Sequence, residues 1–322
     1  MGKDAPSRAK QIIQANDILV ATTRPNLNAV ALVPEELHNE ICSTGFCVLR
    51  PTEVIDPLFL FEFVQTKYFI ETISGQVRGM LYPAVTDNQI RNVYLPCPPL
   101  SEQKRIATKI QELMQEVERA RTACEKQLEA AKALPAAHLR EVFESEESKK
   151  WENRRLGEVC EFSSGKFIQK EKVKSQGAYP VYGANGIIGF TDERIFDKEV
   201  IIIGRVGSCG MVNKSVGPAW ITDNTIVLEP LNQVTFDFLY WKLKSLKLEE
   251  LRAASVQPLI TQKDLKPLLI LLPPLLTQQR IAQDLKEKMI QVENLQSSTR
   301  NQESALNALP QAILRKAFRG EL

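Results

Sequence analysis

Arg205-Val206-Gly207-Ser208 sets an arginine beside a glycine, so backbone can come close to a ligand while the guanidinium bonds a guanine edge or a phosphate. The same four residues also suit a tight turn with a solvated arginine. Tyr182-Gly183-Ala184-Asn185-Gly186 joins an aromatic ring to an amide, and serves equally as a β-turn with Asn185 in a left-handed conformation. Thr222, Asp223 and Asn224 are polar residues between two strand-like runs, where they either face a ligand or close a turn. Lys166, Lys170 and Lys214 have the charge for phosphate contacts, although isolated lysines are most often only solvated. Catalytic chemistry has far less to build on. The stretches "PCPP" (96–99) and "LLPP" (271–274) lack the Asn or Asp that an adenine-methylating tetrapeptide needs, and neither a Walker A sequence nor a carboxylate–carboxylate–lysine cluster is found. The glycine-rich run 183–189 does not sit between a strand and a helix of a βαβ unit. Six scattered cysteines without a CxxC pair, and only His38 and His138, argue against a zinc or iron–sulfur site. Neither metal nor cofactor is expected, and the cysteines read as reduced thiols of a cytoplasmic protein.

The elements that must position these residues occur twice. "PPLSEQKRIATKI" (98–110) returns as "PPLLTQQRIAQDL" (273–285), 175 residues later. The register then holds: Leu134-Pro135 matches Leu309-Pro310, and "AAHLREVF" (136–143) matches "QAILRKAF" (311–318). Upstream, "YPAVTDNQI" (82–90) answers "QPLITQKDL" (257–265). A repeat this long means two copies of one large unit, each a globular part followed by a long helix. With 322 residues, 43% hydrophobic and 25% charged, the chain is long enough for two cores of ordinary composition. Its net charge of +2 does not by itself announce a nucleic-acid partner. An 18-residue apolar run is absent, so no membrane role is expected.

Short β-rich runs mark the globular parts: "DILVATT" (17–23), "GFCVLRP" (45–51) and "NVYLPCP" (92–98) in the first, "KEVIIIGRVG" (198–207) and "WITDNTIVLEP" (220–230) in the second. "PLFLFEFVQTKYF" (57–69) and "DFLYWKLKSL" (237–246) read as equivalent amphipathic helices. The long helices alternate apolar positions four and three apart: Ile106, Ile110, Leu113, Val117, Ala120, Cys124, Gln127, Ala131 and Leu134. The shifted set runs Ile281, Leu285, Lys288, Val292, Leu295, Thr299, Gln302, Leu306 and Leu309. That spacing is a coiled-coil seam, and two seams of equal length pair most simply with each other. Ser101 and Thr277 are placed to cap the helix starts. The copies begin unequally: the first lacks about thirty residues that would match "WENRRLGEVCEFSSGKFIQ" (151–169), so its globular part is expected to be incomplete at its N-terminus.

These residues resemble the specificity (S) subunits of type I restriction–modification systems. "W..RRLGEVCEFSSGK" (151–166), "YPVYGANGIIGFTD" (179–192), "IIIGRVGSCG" (201–210), "WITDNTIVLEP" and "LPPLLTQQRIAQDL" (272–285) look like that family's target-recognition domain and its junction into a conserved helix. "DILVATTRPNLNAV" (17–30) and "LPCPPLSEQKRIATKI" (95–110) look the same in the first copy. The resemblance implies an α+β fold of two mixed α/β target-recognition domains, each followed by a long conserved helix, the helices pairing as an antiparallel coiled coil. The expected boundaries are 1–98 and 151–272 for the domains and 99–148 and 273–322 for the helices. About 32 helical residues before Pro135 would span roughly 48 Å, more than one ~34 Å turn of B-DNA.

It also implies a non-catalytic DNA-binding subunit that reads a bipartite target and scaffolds two methyltransferase (modification) subunits and restriction subunits. DNA contacts would come from Arg205, Gly207, Ser208, Tyr182, Asn185, Thr222, Asn224, Lys166, Lys170 and Lys214. Arg24, Asn26 and Asn28 occupy the loop of the first copy that matches Arg205–Gly210. Gln103, Arg105, Gln278 and Arg280 sit at equivalent places in both copies, which favours docking the same partner twice; a purely intramolecular role at the helix entry is compatible with that. Two other readings stay open: a dimeric coiled-coil DNA-binding protein, including a half-functional S subunit that dimerises, and a single-chain methyltransferase or nuclease, which the missing cofactor motifs disfavour.

Overall fold

A computed structural model describes residues 7–75, 84–251 and 259–322. Tyr82-Pro83 and Gln257-Pro258 of the upstream repeat lie outside the described residues. The chain divides into two compact units, Met1–Gln127 with Ser298–Leu322, and Leu128–Ser297. Among the described residues no helix is long and apolar enough to cross a membrane.

In the first unit, β1 (Ala9–Ile12), β2 (Ile18–Ala21), β3 (Val30–Leu32), β4 (Ile41–Ser43) and β5 (Phe46–Leu49) precede α1 (Pro57–Phe63), α2 (Lys67–Ser74) and α3 (Asp87–Arg91). Strand order β3-β2-β5 is antiparallel throughout, and β1 pairs with β4. Ile18, Val20 and Cys47 of this sheet pack against Phe63, Phe69 and Ile73. A single helix expected over 57–69 is instead two: Thr66 accepts the Phe69 N–H at 3.2 Å as the N-cap of α2, and a side-chain cap starts a new helix. The expected strand 92–98 is not one. Tyr94–Cys97 matches the strand Leu269–Leu272 of the second unit, but among the described residues the first unit has no strand that pairs with it, and Tyr94 stands exposed.

The helix α4 (Leu100–Phe143) begins in the first unit and ends in the second. In the second unit, β6 (Glu152–Arg155), α5 (Leu156–Val159), β7 (Cys160–Ser164), β8 (Tyr179–Gly183), β9 (Gly186–Thr191), β10 (Ile201–Gly204), β11 (Val212–Lys214), β12 (Trp220–Ile221) and β13 (Thr225–Pro230) come before α6 (Phe236–Ser245), α7 (Gln262–Leu265), β14 (Leu269–Leu272) and α8 (Leu275–Ala317). The order β11-β10-β13-β7 contains the same antiparallel three-strand pattern as the first unit; β12-β8-β9 forms a second sheet, and β14 pairs with β6. Ile201, Ile202 and Ile203 of β10 are all fully buried, one face against Leu228 and Phe238 and the other against Tyr182 and Ile221. A β-branched run buried on both faces is what "VIII" implies.

Both long helices run on through their prolines, Pro135 and Pro310. They pair antiparallel within each unit. In the first unit Ile106, Ala107 and Ile110 pack on Leu314 and Ala317, and Cys124 Sγ donates to the Thr299 carbonyl at 3.3 Å. In the second, Leu139 and Phe143 share a cluster with Ala282 and Leu285, and Gln296 Nε2 donates to Ala131 O at 3.1 Å. Half of the expected seam holds: Ile110, Val117, Cys124, Ala131, Leu285, Val292 and Thr299 are buried. The rest is mixed: Ala120, Gln127, Gln302 and Leu309 face solvent, whereas Leu113, Leu134, Ile281, Lys288, Leu295 and Leu306 are half-buried, as are the neighbouring Met114, Arg121, Leu128, Met289 and Gln296. Positions three and four beyond a buried residue flank it on either side, and Leu113 and Met114 are both apolar, so the pattern alone could not choose. Ser101 and Thr277 are not caps. The first turns begin at the prolines, with Pro99 O accepting from Glu102 and Gln103 N–H and Pro274 O from Thr277 and Gln278 N–H.

Candidate nucleic-acid interface

Four loops of the second unit are stitched together at one end of its sheets. After β7, the Lys166 N–H donates to Ile221 O at 2.8 Å, and the Trp220 indole donates to Lys166 O at 3.0 Å. Gly165 is required there, because a Cβ would stand 2.1 Å from the Thr222 carbonyl oxygen. The β12–β13 turn is tied to the β8–β9 hairpin by Thr222 N–H to Tyr182 O at 2.9 Å, and to the loop after β10 by Arg205 N–H to Asn224 O, also 2.9 Å. Gly204 completes the junction: a Cβ on it would lie 3.1 Å from that of Ala184. Gly207 turns the loop after β10 at φ 75°, in the left-handed region, with open space where a Cβ would be.

These bonds bring Lys166, Asn185, Arg205, Gly207, Ser208 and Asn224 into one cluster. Lys166, Asn185, Gly207 and Asn224 are exposed and between them offer donors and acceptors. Arg205 is half-buried, and its Nε has no hydrogen-bond partner. That Nε is itself buried, so a ligand would reach it only after the side chain swings outward. Two expected contacts lie underneath instead. Tyr182 is buried, its hydroxyl accepting the Val216 N–H at 3.2 Å, and Thr222 is buried with its carbonyl accepting from Thr225 Oγ1 at 2.7 Å. They hold the loops and cannot reach a base edge. Lys170 is exposed on the short 3-10 turn Lys170–Lys172, and that segment is laced to β9 by paired bonds between Lys174 and Phe190. Lys214 does not join the cluster. It pairs with Ile201 at the far end of β10, its ammonium ion-paired to Asp237 at 2.8 Å and 5.0 Å from the Tyr240 ring centre. An ammonium already held by a carboxylate and a ring is a poor phosphate ligand.

In the first unit, Arg24 and Asn28 both adopt left-handed backbone (φ 51° and 46°) and bracket the short turn Pro25–Leu27. A non-glycine residue there carries strain. Arg24 and Asn26 are exposed, and Asn28 Oδ1 is buried without a partner.

Gln103 and Gln278 cannot meet a partner subunit. They are 0% and 1% exposed, and their amides are spent on the protein itself. Gln103 Oε1 accepts the Asp56 N–H at 2.9 Å while its Nε2 donates to Val54 O at 3.0 Å and Pro98 O at 2.8 Å. Gln278 repeats the pattern with the Thr235 N–H at 2.8 Å, Gln233 O at 3.1 Å and Pro273 O at 2.9 Å. Each is a staple between helix entry and globular part. Arg105 and Arg280 are exposed two residues beyond their staples, on the other side of the helix, and Arg105 grips Glu102 through two bonds of 2.8 and 2.7 Å. Sequence reasoning passed over a set of apolar side chains beside the loop cluster, Phe167, Ile187, Ile188 and Val206, all exposed; the only signal for them was the loops' own polarity, against which they stand out.

The sequence model of a family described as the type I restriction modification DNA specificity domain matches residues 3–129 and 148–302. The type I restriction enzyme EcoKI specificity subunit of Escherichia coli (strain K12) is 22% identical over 360 residues, covering 98% of this chain and 76% of that protein. The crystal structure of the HsdS subunit from Thermoanaerobacter tengcongensis is 33% identical with a TM-score of 0.76, over 99% of this chain and 85% of that one. A chain from a structure describing complex assembly and conformational transition of the type I R-M system is 33% identical with a TM-score of 0.81, over 99% of this chain and 86% of that one.

Proposed function

This chain belongs to the type I restriction modification DNA specificity family, and from that membership we propose that the loop cluster of the second unit reads one half of a bipartite DNA target. The chain is the non-catalytic specificity subunit of a restriction–modification complex. Lys166 and Lys170 serve phosphates, while Asn185, Arg205, Ser208 and Asn224 serve base edges, Gly207 keeping the backbone low enough for approach. Tyr182 and Thr222 hold those loops in register. Arg24, Asn26 and Asn28 read the other half through the first unit, and the antiparallel helices set the unread spacer between halves. Residues 1–98 and 151–272 are the two recognition domains, and 99–148 and 273–322 the helices that dock modification subunits, one through Arg105 and one through Arg280. Restriction subunits join that assembly, which acts in the cytoplasm.

The observation that carries this reading is the convergence of four separate loops, joined through backbone hydrogen bonds, on which Lys166, Asn185, Gly207 and Asn224 stand exposed. Polar side chains on a rigid frame are what base readout requires. Co-expression with modification subunits, followed by genome-wide mapping of methylated adenine, tests it. An asymmetric bipartite motif is expected. A palindromic motif would mean that the second unit reads alone in a dimer, and no methylation would overturn the reading.

A further inference from the structure

Ile187 and Ile188 break a rule of strand geometry. Neighbouring residues of a strand point to opposite faces, so in β9 one should be turned inward. Both are exposed, by 55% and 56%. The cause is a register shift in the hairpin: Tyr182 pairs with Ile187 and Val181 with Gly189, leaving Ile188 as an extra residue opposite no partner. A bulge of this kind re-aims side chains, and bulges gather beside functional sites. The hairpin tip is tight, with Gly183 paired to Gly186 and Gly186 at φ 107°. The isoleucines therefore stand immediately behind Asn185. They are also part of the loop cluster: Ile188 Cγ2 would lie 3.2 Å from a Cβ on Gly183, whose other neighbour is the Thr222 hydroxyl. Phe167, 70% exposed, follows Lys166 on the adjoining loop, and Val206 follows Arg205 on the next.

Two β-branched side chains held out in water beside donors and acceptors are costly unless something apolar covers them. In the major groove the apolar group on offer is the 5-methyl of thymine, and an amide is the usual partner of adenine. We infer that Ile187 and Ile188 are specificity determinants that contact thymine methyl groups in the half-site read by the second unit, with Asn185 two residues before Ile187 reading an adenine edge. This rests on the proposed DNA-facing role of the loop cluster. It adds an apolar readout that the polar candidates do not supply.

The test uses the full chain assembled with its modification subunits and the motif found by methylation mapping. Duplexes are prepared in which each thymine of the second half-site is replaced singly by uracil, which removes the methyl group and leaves the base-pairing edge intact. Burying one methyl is worth about a fourfold change in affinity, so the wild-type complex should lose roughly fourfold at one or two thymines. An I187A/I188A variant should bind the thymine duplex that much more weakly and show no further loss with uracil. Neither side chain supports the core, so folding should be unaffected. A flat uracil scan with the wild type, or a variant that remains uracil-sensitive, would overturn the inference. An N185A/N224A variant separates the two levels: if it binds as the wild type does, the placement of the loop cluster on DNA has failed; if it weakens binding while the uracil scan is flat, only the isoleucines have.

Discussion

Replacing Gln278 by alanine should destabilise the second unit far more than it disturbs subunit docking. The wild-type amide is 1% exposed and closes three hydrogen bonds, accepting from Thr235 N–H and donating to Gln233 O and Pro273 O. Alanine leaves one backbone donor and two carbonyls unsatisfied. Each such group costs about 1–3 kcal/mol when buried, and partial exposure of two of the three holds the total to about 3–5 kcal/mol. With a denaturant slope of about 3 kcal/mol per molar urea, the unfolding midpoint should fall by about 1–1.7 M. The assay is selective, because the three tryptophans, Trp151, Trp220 and Trp241, all belong to the second unit and their fluorescence follows it. Gln278→Glu sharpens the test. Its carboxylate can still accept the Thr235 N–H but faces two carbonyl oxygens with nothing to donate, so the loss at neutral pH should equal or exceed that of alanine and shrink on acidification, when a proton restores one donor. A midpoint shift equivalent to under 1 kcal/mol, with loss of modification-subunit binding at unchanged stability, would refute the staple and return Gln278 to the partner surface.

Burial pushes the Glu62 carboxyl up to about 7, its near neighbour being the Gln65 amide at 3.4 Å. A raised carboxyl holds its proton longer in the folded state, so this group's contribution is complete below about pH 4.5 and fades as pH climbs through 7, by on the order of 3 kcal/mol. Urea melts of Glu62→Gln followed by circular dichroism should lose that slope, and an unchanged slope would sink the argument. On the helices, Ala120→Glu should change stability by less than about 0.5 kcal/mol because Ala120 faces solvent. Val117→Glu should cost several times that by burying a charge at a position only 7% exposed. Equal effects would mean that the seam follows the simple heptad after all. Gly165→Ala drives a Cβ to 2.1 Å from the Thr222 carbonyl oxygen, so the loop junction must shift. Methylation in the cell should fall sharply while the circular dichroism spectrum stays that of the wild type. Gly186→Ala, with nothing within 4 Å, should have the milder effect that its φ alone imposes.

The parts of this fold that could be read from the sequence are those decided by local pattern. The isoleucine run of β10 announces a strand buried on both faces, and α6 announces an amphipathic helix. The duplicated Pro-Pro-Leu entries announce where α4 and α8 begin. What escaped depends on neighbours distant in sequence. Tyr94–Cys97 has strand-like composition, yet its equivalent β14 is a strand through its four-residue pairing with β6. The break before Lys67 turns on one threonine hydroxyl. In the candidate interface, the loops after β7, β8, β10 and β12 were recognisable by their glycines and polar residues, but nothing in their spacing tells that Tyr182 and Thr222 lie beneath the surface or that Lys214 is tied to Asp237. The bulge at Ile188 is a property of two strands in register, and no single strand carries its signature.

Equivalence between the two copies also means something different from what it first suggests. Apart from the exposed pair Arg105 and Arg280, the repeated positions described above are ones that pack. Gln103 and Gln278 close the same three bonds, and Phe59 against Phe318 repeats as Phe238 against Phe143, with ring centres 5.0 and 5.6 Å apart. Even where the residue changes, the contact survives: Phe63 stacks edge-on to Phe318 at 5.5 Å, and Lys242, in the corresponding place, sets its ammonium 4.9 Å from the Phe143 ring centre. Burial holds the Lys242 ammonium below its usual pKa, and the ring face offsets part of that desolvation. Positions that do not repeat are the loops. Arg205–Cys209 turns on Gly207, whereas Arg24–Asn28 turns on two strained non-glycine residues. A frame held constant by buried amides and rings leaves the loops free to differ, and the proposed reading of two half-sites with one architecture would use that freedom. Repetition inside the chain therefore points to the scaffold, and specificity is to be sought where the copies disagree.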